Sequence, residues 1–254
     1  MLETKQLTKY FGGLAAISNL DMNVNQGEIV GLIGPNGAGK TTFFNLITGF
    51  EPPTKGQIIF EQSDITGQTT HSIAEKGIVR TFQSSTFLPD FTVLQNVLVS
   101  CHLHPKIGFW KAIFNTSGYR KKEEYAFNHA VEIIKFLRLD TMKDELAKNL
   151  PYGFQRLLGI AIALSANPKL LLLDEPLSGM NAAEVRQSLT FINRIRSAGT
   201  TILLVEHNMR AVMALCDRIL VLNFGCKIAE GLPDEIRRNE DVIEAYLGVG
   251  EHVT

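Results

Sequence analysis

Residues 34–42 read Gly34-Pro35-Asn36-Gly37-Ala38-Gly39-Lys40-Thr41-Thr42, and the apolar run 29–33 ends against the first glycine. Glycines let a backbone bend until successive N–H groups point at one anion, while the next helix turns its positive end toward the same spot. In such a loop Lys40 reaches the β- and γ-phosphates and the Thr41 hydroxyl coordinates Mg²⁺. The spacing G-x-x-x-x-G-K-T therefore predicts a site for a nucleoside triphosphate.

Three further positions could work on that ligand. Four leucines, 170–173, lead into Asp174 and Glu175; the first carboxylate can hold the water shell of Mg²⁺ and the second can polarise an attacking water as a general base. Gln83, in Arg80-Thr81-Phe82-Gln83, ends a short strand where an amide could meet both Mg²⁺ and that water. His207, in Val205-Glu206-His207-Asn208, follows a strand and reaches the carboxyl edge of a sheet, within range of a γ-phosphate. Taken singly, Gln83 reads more often as a solvated loop residue and His207 more often as a helix cap or surface histidine.

These residues need a scaffold, and the pattern of apolar positions supplies one. Residues 2–8 and 20–24 alternate, 28–33 reads as a buried strand, and 58–60 follows a Pro-Pro-Thr-Lys-Gly turn. One helix, 40–48, interrupts these strands and is closed by Gly49. From Thr92 to Ala166 the period becomes helical, with Val93, Val97 and Leu98, then Ala130, Ile133, Ile134 and Leu137 on spaced faces. Strand 170–173, helix 182–196 and strands 201–205, 218–223 and 227–229 follow. Strands separated by helices predict a mainly parallel sheet covered on both faces, with ligands at the carboxyl ends of its strands.

The chain has 254 residues, 45% of them hydrophobic, enough for one large α/β domain with an inserted subdomain. Twenty-five basic and 26 acidic residues leave a net charge of −1, so no global field draws the protein to nucleic acid or anionic lipid. No apolar run approaches the ~20 residues that cross a bilayer, and the N-terminus lacks a basic-then-apolar signal segment, so a cytosolic protein is expected. Cys101, Cys216 and Cys226 form no C-x-x-C pair and read as reduced thiols packed as small apolar groups.

The order of parts resembles the ATPase subunit of ATP-binding cassette (ABC) transporters: phosphate loop, glutamine, helical stretch, glycine-containing helix start, Asp-Glu after four leucines, a Ser-Gly turn and a histidine. The resemblance runs from Leu2 to about Leu247. It implies an α/β fold: a P-loop NTPase (RecA-like) ABC ATPase core with a mainly parallel sheet, an N-terminal antiparallel β part and an inserted α-helical subdomain. One domain over 1–254 would comprise a nucleotide-binding core, 1–84 and 166–254, and a helical subdomain, 85–165. By motif, residues 34–42 become the Walker A loop, Gln83 the Q-loop residue, Asp174 the Walker B aspartate, Glu175 the catalytic glutamate and His207 the switch histidine. Thr41, Gln83 and Asp174 would face the metal, and Phe11 stands where the family stacks an aromatic ring on adenine, with Tyr10 as runner-up. ATP and Mg²⁺ are the implied cofactors.

The family signature Leu-Ser-Gly-Gly-Gln appears here as Leu150-Pro151-Tyr152-Gly153-Phe154. In the family this helix start meets the γ-phosphate held by a second subunit. Proline in the serine position removes a hydroxyl and an N–H, and Phe154 replaces an amide, while the helix dipole survives. The change would weaken the partner's site and make two unequal sites. Ser178-Gly179-Met180-Asn181 carries asparagine where the family usually has aspartate, so the seam loses a charge.

The stretch 77–83, Tyr152, the asparagine turn, the ending 241–248 and an insertion at about 106–122 containing Phe109, Trp110 and Phe114 resemble one branch: the larger ATPase of bacterial branched-chain amino acid importers. That branch implies a heterodimer with a second ABC ATPase, transmembrane permease subunits and, indirectly, a periplasmic binding protein, with the chain peripheral on the cytoplasmic face of the membrane and no nucleic acid partner. Importers of urea, amides or aromatic acids share this ATPase type and stay open as alternatives. So do a non-transport ABC protein of translation or DNA repair and a phosphate-loop kinase of small molecules.

Overall fold

The computed structural model describes residues 1–81, 87–102 and 117–247. They form two compact units: Met1–Arg80, Lys169–Ser178 and Ile192–Thr254 make the first, and Thr81–Pro168 with Gly179–Phe191 the second.

Two sheets build the first unit. Strands β1 (Leu2–Phe11), β2 (Leu14–Val24), β4 (Lys55–Phe60) and β5 (Ser63–Asp64) form an antiparallel sheet in the order β2-β1-β4-β5. The second sheet has the order β10-β9-β3-β8-β7-β6, from β3 (Ile29–Ile33), β6 (Ile78–Arg80), β7 (Leu170–Asp174), β8 (Thr201–Val205), β9 (Arg218–Asn223) and β10 (Cys226–Gly231). It is parallel except for the terminal β9–β10 pair. Every residue of β3, β7 and β8 is buried, as continuous apolar strands in a doubly covered parallel sheet must be. Helix α1 (Lys40–Ile47) contributes Phe43, Phe44, Leu46 and Ile47 to the main core, where they join Leu7, Ile17 and Phe60 of the antiparallel sheet and Leu32, Leu172 and Leu203 of the parallel one.

The register of the parallel sheet sets the site. Asp174 lies level with Val205, and Val205 with Leu32. The residues that follow, Glu175, Glu206-His207 and Gly34, therefore emerge along one edge, at the carboxyl ends of their strands.

In the second unit, α3 (Val93–His102), α4 (Ser117–Phe136) and α5 (Tyr152–Leu164) pack on one another. Val97, Ala130, Ile134, Leu158 and Ala161 are fully or almost fully buried. Thr92 and Gln95 cap α3 reciprocally: the Thr92 hydroxyl accepts from Gln95 N–H at 3.1 Å and the Gln95 side chain from Thr92 N–H at 2.8 Å.

Several local readings need correction. A second helix, α2 (Thr70–Lys76), interrupts the N-terminal strands. It buries only Ile73, so it left no apolar period; Thr69 capping Ser72 N–H and the left-handed Gly77 (φ 106°) define it instead. The first strand continues to Phe11 and the second begins at Leu14, because a tight turn at Gly12 joins them as a hairpin. Helix α6 (Ala182–Ser197) agrees with expectation, whereas the short helices α7 (Met209–Leu215), α8 (Pro233–Ile236) and α9 (Glu240–Leu247) were not anticipated. Cys101 and Cys216 are buried thiols, pushed up to about 11 and about 12 by desolvation, but Cys226 is exposed. No helix among the described residues is long and apolar enough to cross a membrane.

Candidate functional site

The phosphate loop is held open by backbone geometry that tolerates no side chain. Gly34 has φ 152°, and a Cβ there would stand 2.1 Å from the carbonyl oxygen of Leu222. Gly39 caps α1 with φ 105°, and its Cβ would stand 2.6 Å from the carbonyl oxygen of Ala16. Ala38 accepts from Gly225 N–H at 3.0 Å, and Gly225 in turn accepts from Ser18 N–H at 2.9 Å, so β2 and the β9–β10 turn brace the loop.

Lys40, almost fully buried, curls back and donates to the carbonyls of Gly34 at 2.7 Å and Pro35 at 2.9 Å. Desolvation lowers its pKa, against the opposing pull of Glu175 and Asp174. The first turn of α1 holds no acidic residue and no side-chain cap. The helix's positive end thus has no acidic side chain or side-chain cap on it, and the buried ammonium lies beside it, an arrangement that suits a polyanion.

A cavity of about 440 Å³ opens over this loop. Asn36, Gly37, Ala38, Gly39, Lys40, Thr41 and Thr42 line it, with Leu14 to Ala16 and Phe224 on its flanks and Glu175 and His207 at the sheet edge. The structure therefore gathers the loop, Glu175 and His207 in one place. Gly34 and Pro35 are not among the lining residues.

Glu175 holds a left-handed backbone, φ 48°, which costs a non-glycine residue on the order of 1–2 kcal/mol. Its N–H donates to Val205 oxygen at 2.8 Å, and Oε1 lies 2.7 Å from Nε2 of His207. An ionised Glu175 can only accept, so the shared proton belongs to Nε2.

Sequence reasoning missed Glu206. Its carboxylate is buried and accepts from the N–H groups of Leu177 at 2.7 Å, His207 at 3.0 Å and Asn208 at 3.3 Å. Burial raises its pKa, and those three N–H groups partly offset the rise. The side chain thereby ties the turn after Glu175 to the turn that carries His207. Its place next to a candidate histidine was the only available signal.

Asp174 sits behind the cavity rather than on its lining. Its Oδ2 accepts from Nη2 of Arg80 at 2.7 Å, with both side chains buried. Thr41 and Asp174 offer hard oxygens, the donor type Mg²⁺ prefers, and among the described residues no group of three or more His, Cys, Asp or Glu side chains is arranged to hold a metal ion by itself. Two protein oxygens plus phosphates and waters form an ordinary Mg²⁺ environment.

Phe11 ends β1, nearly half exposed, with the Lys9 ammonium 4.9 Å from its ring centroid. It does not line the cavity. Gln83 and the aromatic insertion with Phe109, Trp110 and Phe114 lie outside the described residues.

In the second unit, Pro151 caps α5 with an extended ψ of 149°, and its carbonyl accepts from Phe154 N–H at 2.9 Å and Gln155 N–H at 3.1 Å. Leu150 and Gly153 are buried, whereas Pro151 and Tyr152 are exposed. A Cβ on Gly153 would stand 2.9 Å from Oε1 of Glu184, and one on Gly179 2.6 Å from the Tyr152 ring. Arg156 donates to the Tyr152 hydroxyl and lies 4.9 Å from that ring's centroid. The proline thus starts the helix while Tyr152 fills the space over Gly179.

Residues 17–178 match the family model described as ABC transporter. The chain belongs to this family. As an ABC cassette it binds nucleotide and is an ATPase. A second family model, described as Branched-chain amino acid ATP-binding cassette transporter, matches residues 226–252. The chain is 41% identical over 249 residues to the high-affinity branched-chain amino acid transport ATP-binding protein BraF of Pseudomonas aeruginosa, covering 98% of each chain. It is 42% identical over 249 residues to the corresponding protein LivG of Salmonella typhimurium, again covering 98% of each. Among solved structures, the ADP conformation of an ATP-binding cassette of an ABC transporter superposes with a TM-score of 0.86 at 33% identity, covering 98% of both chains.

Proposed function

We propose that this cassette powers an importer of branched-chain amino acids, paired with a second, different ABC ATPase and docked on transmembrane permease subunits at the cytoplasmic face of the membrane. Two things support the substrate class: the match at residues 226–252 to a branched-chain amino acid cassette module, and relatives named for that transport at 41% and 42% identity. A periplasmic binding protein would deliver the ligand.

The observation that carries the chemistry is the 2.7 Å contact between Glu175 Oε1 and His207 Nε2 at the rim of the cavity that Lys40 lines. When ATP enters, Lys40 leaves the carbonyls of Gly34 and Pro35 for the phosphate oxygens, and the N–H groups of the loop and of α1 close on the same charge. Glu175 takes the proton of the attacking water, and His207 turns its Nε2–H from that carboxylate to donate toward the γ-phosphate. Thr41, Asp174 and, by resemblance, Gln83 would hold Mg²⁺, which would supply positive charge against the developing charge of the phosphoryl group. Phe11 is assigned to the adenine.

Leu150, Pro151, Tyr152, Gly153 and Phe154 serve the partner's nucleotide. Nucleotide between the two cassettes holds them closed and hydrolysis lets them reopen, the motion that drives the permeases. Without the signature hydroxyl, the two sites of the pair are unequal.

Reconstitution with the permeases, the second cassette and the binding protein in proteoliposomes tests the assignment. Leucine, isoleucine or valine should stimulate ATP hydrolysis together with uptake. Stimulation by urea, an amide or an aromatic acid alone would move the substrate class, and association with ribosomes or DNA instead of membranes would contradict transport.

A further inference from the structure

Arg80 ends an edge strand, yet its guanidinium is buried. Nη2 donates to Asp174 Oδ2 at 2.7 Å, and the two side chains are only 6% and 9% exposed. Nη1 donates to Asn45 Oδ1 at 2.7 Å, and the guanidinium carbon lies 5.3 Å from the centroid of the Phe44 ring. Phe44 and Asn45 belong to α1, the helix that Lys40 begins. One side chain thus joins the edge strand, the tip of β7 and the phosphate-loop helix.

The register makes this reach necessary. Arg80 stands level with Leu172, so Asp174 is the diagonal neighbour two residues further along the adjacent strand, a span that a long side chain covers. A buried carboxylate needs a partner, and the planar fork of arginine fixes its orientation as well as its charge.

We propose that Arg80 is a positioning residue for the metal-facing carboxylate: by holding Asp174 Oδ2 and Asn45 together it fixes Asp174 and so sets how much Mg²⁺ strengthens nucleotide binding. The inference rests on the reading of Asp174 as that carboxylate. Without the guanidinium, Lys40, which already interacts electrostatically with Asp174, would compete for the carboxylate. The carboxylate would turn toward it and lose its alignment. Lysine at position 80 would keep the charge but could not grip Asn45 and Asp174 at once.

The test is calorimetric binding of ATP to the full chain, in excess Mg²⁺ and in EDTA, for wild type, Arg80→Met, Arg80→Lys and Asp174→Asn, with thermal unfolding of each. Arg80→Met should bind ATP in EDTA about as well as wild type but lose roughly ten-fold or more of the affinity that Mg²⁺ adds, the usual scale for a residue that orients a metal ligand. Arg80→Lys should recover only part of it. A full Mg²⁺ gain in Arg80→Met while Asp174→Asn loses it would overturn the role of Arg80 and leave Asp174 in place. A full gain in Asp174→Asn would remove the reading beneath it. If Arg80→Met fails to fold, Arg80→Lys decides: a gain equal to wild type overturns the proposal.

Discussion

Nε2 of His207 stands 2.7 Å from Oε1 of Glu175, joining the ends of two adjacent parallel strands. The pair exists because Asp174 and Val205 are level, so each side chain emerges just beyond its strand. His207→Ala should bind ATP within a few-fold of wild type but hydrolyse it about 100-fold more slowly, the scale for losing one preorganised donor. Single-turnover hydrolysis in the assembled transporter, measured beside ATP binding, checks this; undiminished hydrolysis would contradict it.

Gly37 and Gly39 separate conformation from close approach. Both have positive φ, 81° and 105°, but a Cβ on Gly37 meets nothing within 4 Å whereas one on Gly39 would stand 2.6 Å from Ala16 oxygen. Gly37→Ala should cost ~1–2 kcal/mol, the strain of a left-handed residue. Gly39→Ala should cost more, and should reduce ATP affinity as well. Equal losses in thermal unfolding and binding would show that the β2 contact does not shape the loop.

Glu28 supplies a pH dependence. Burial pushes its pKa up, but hydrogen bonds from Arg218 and from Asn25 N–H outweigh that and leave it below the ordinary 4.5. A lowered carboxylate contributes stability that is fully present above its unfolded value and is lost as pH falls through the folded value. Wild type should therefore exceed Glu28→Gln in stability above about pH 4.5, with the gap closing on further acidification. Urea unfolding across that range measures it; a constant gap would contradict the Arg218 pairing.

Much of the site was legible because its chemistry constrains residue types directly. Gly34 and Gly39 occupy backbone positions that exclude a Cβ, Lys40 and Thr41 follow at fixed spacing, and four buried leucines announce the strand that delivers Asp174 and Glu175. The mainly parallel sheet followed from continuous apolar runs separated by helices, whereas the antiparallel sheet was implied only by the family resemblance. Arg80 and Glu206 were not legible, since charged residues at strand ends are usually solvated. Only the register of β6 on β7, and of β7 on β8, turns them inward. Helix α2 stayed hidden for the opposite reason: with Ile73 alone buried, its caps outweigh its periodicity.

The central claim is that Glu175 withdraws the proton from water at a nucleotide held by Lys40. Glu175→Gln removes the base while keeping the side chain's shape. In the assembled transporter this variant should still bind Mg-ATP and should hydrolyse it at least ~100-fold more slowly, as loss of a general base requires. Turnover equal to wild type, with binding intact, would contradict the account.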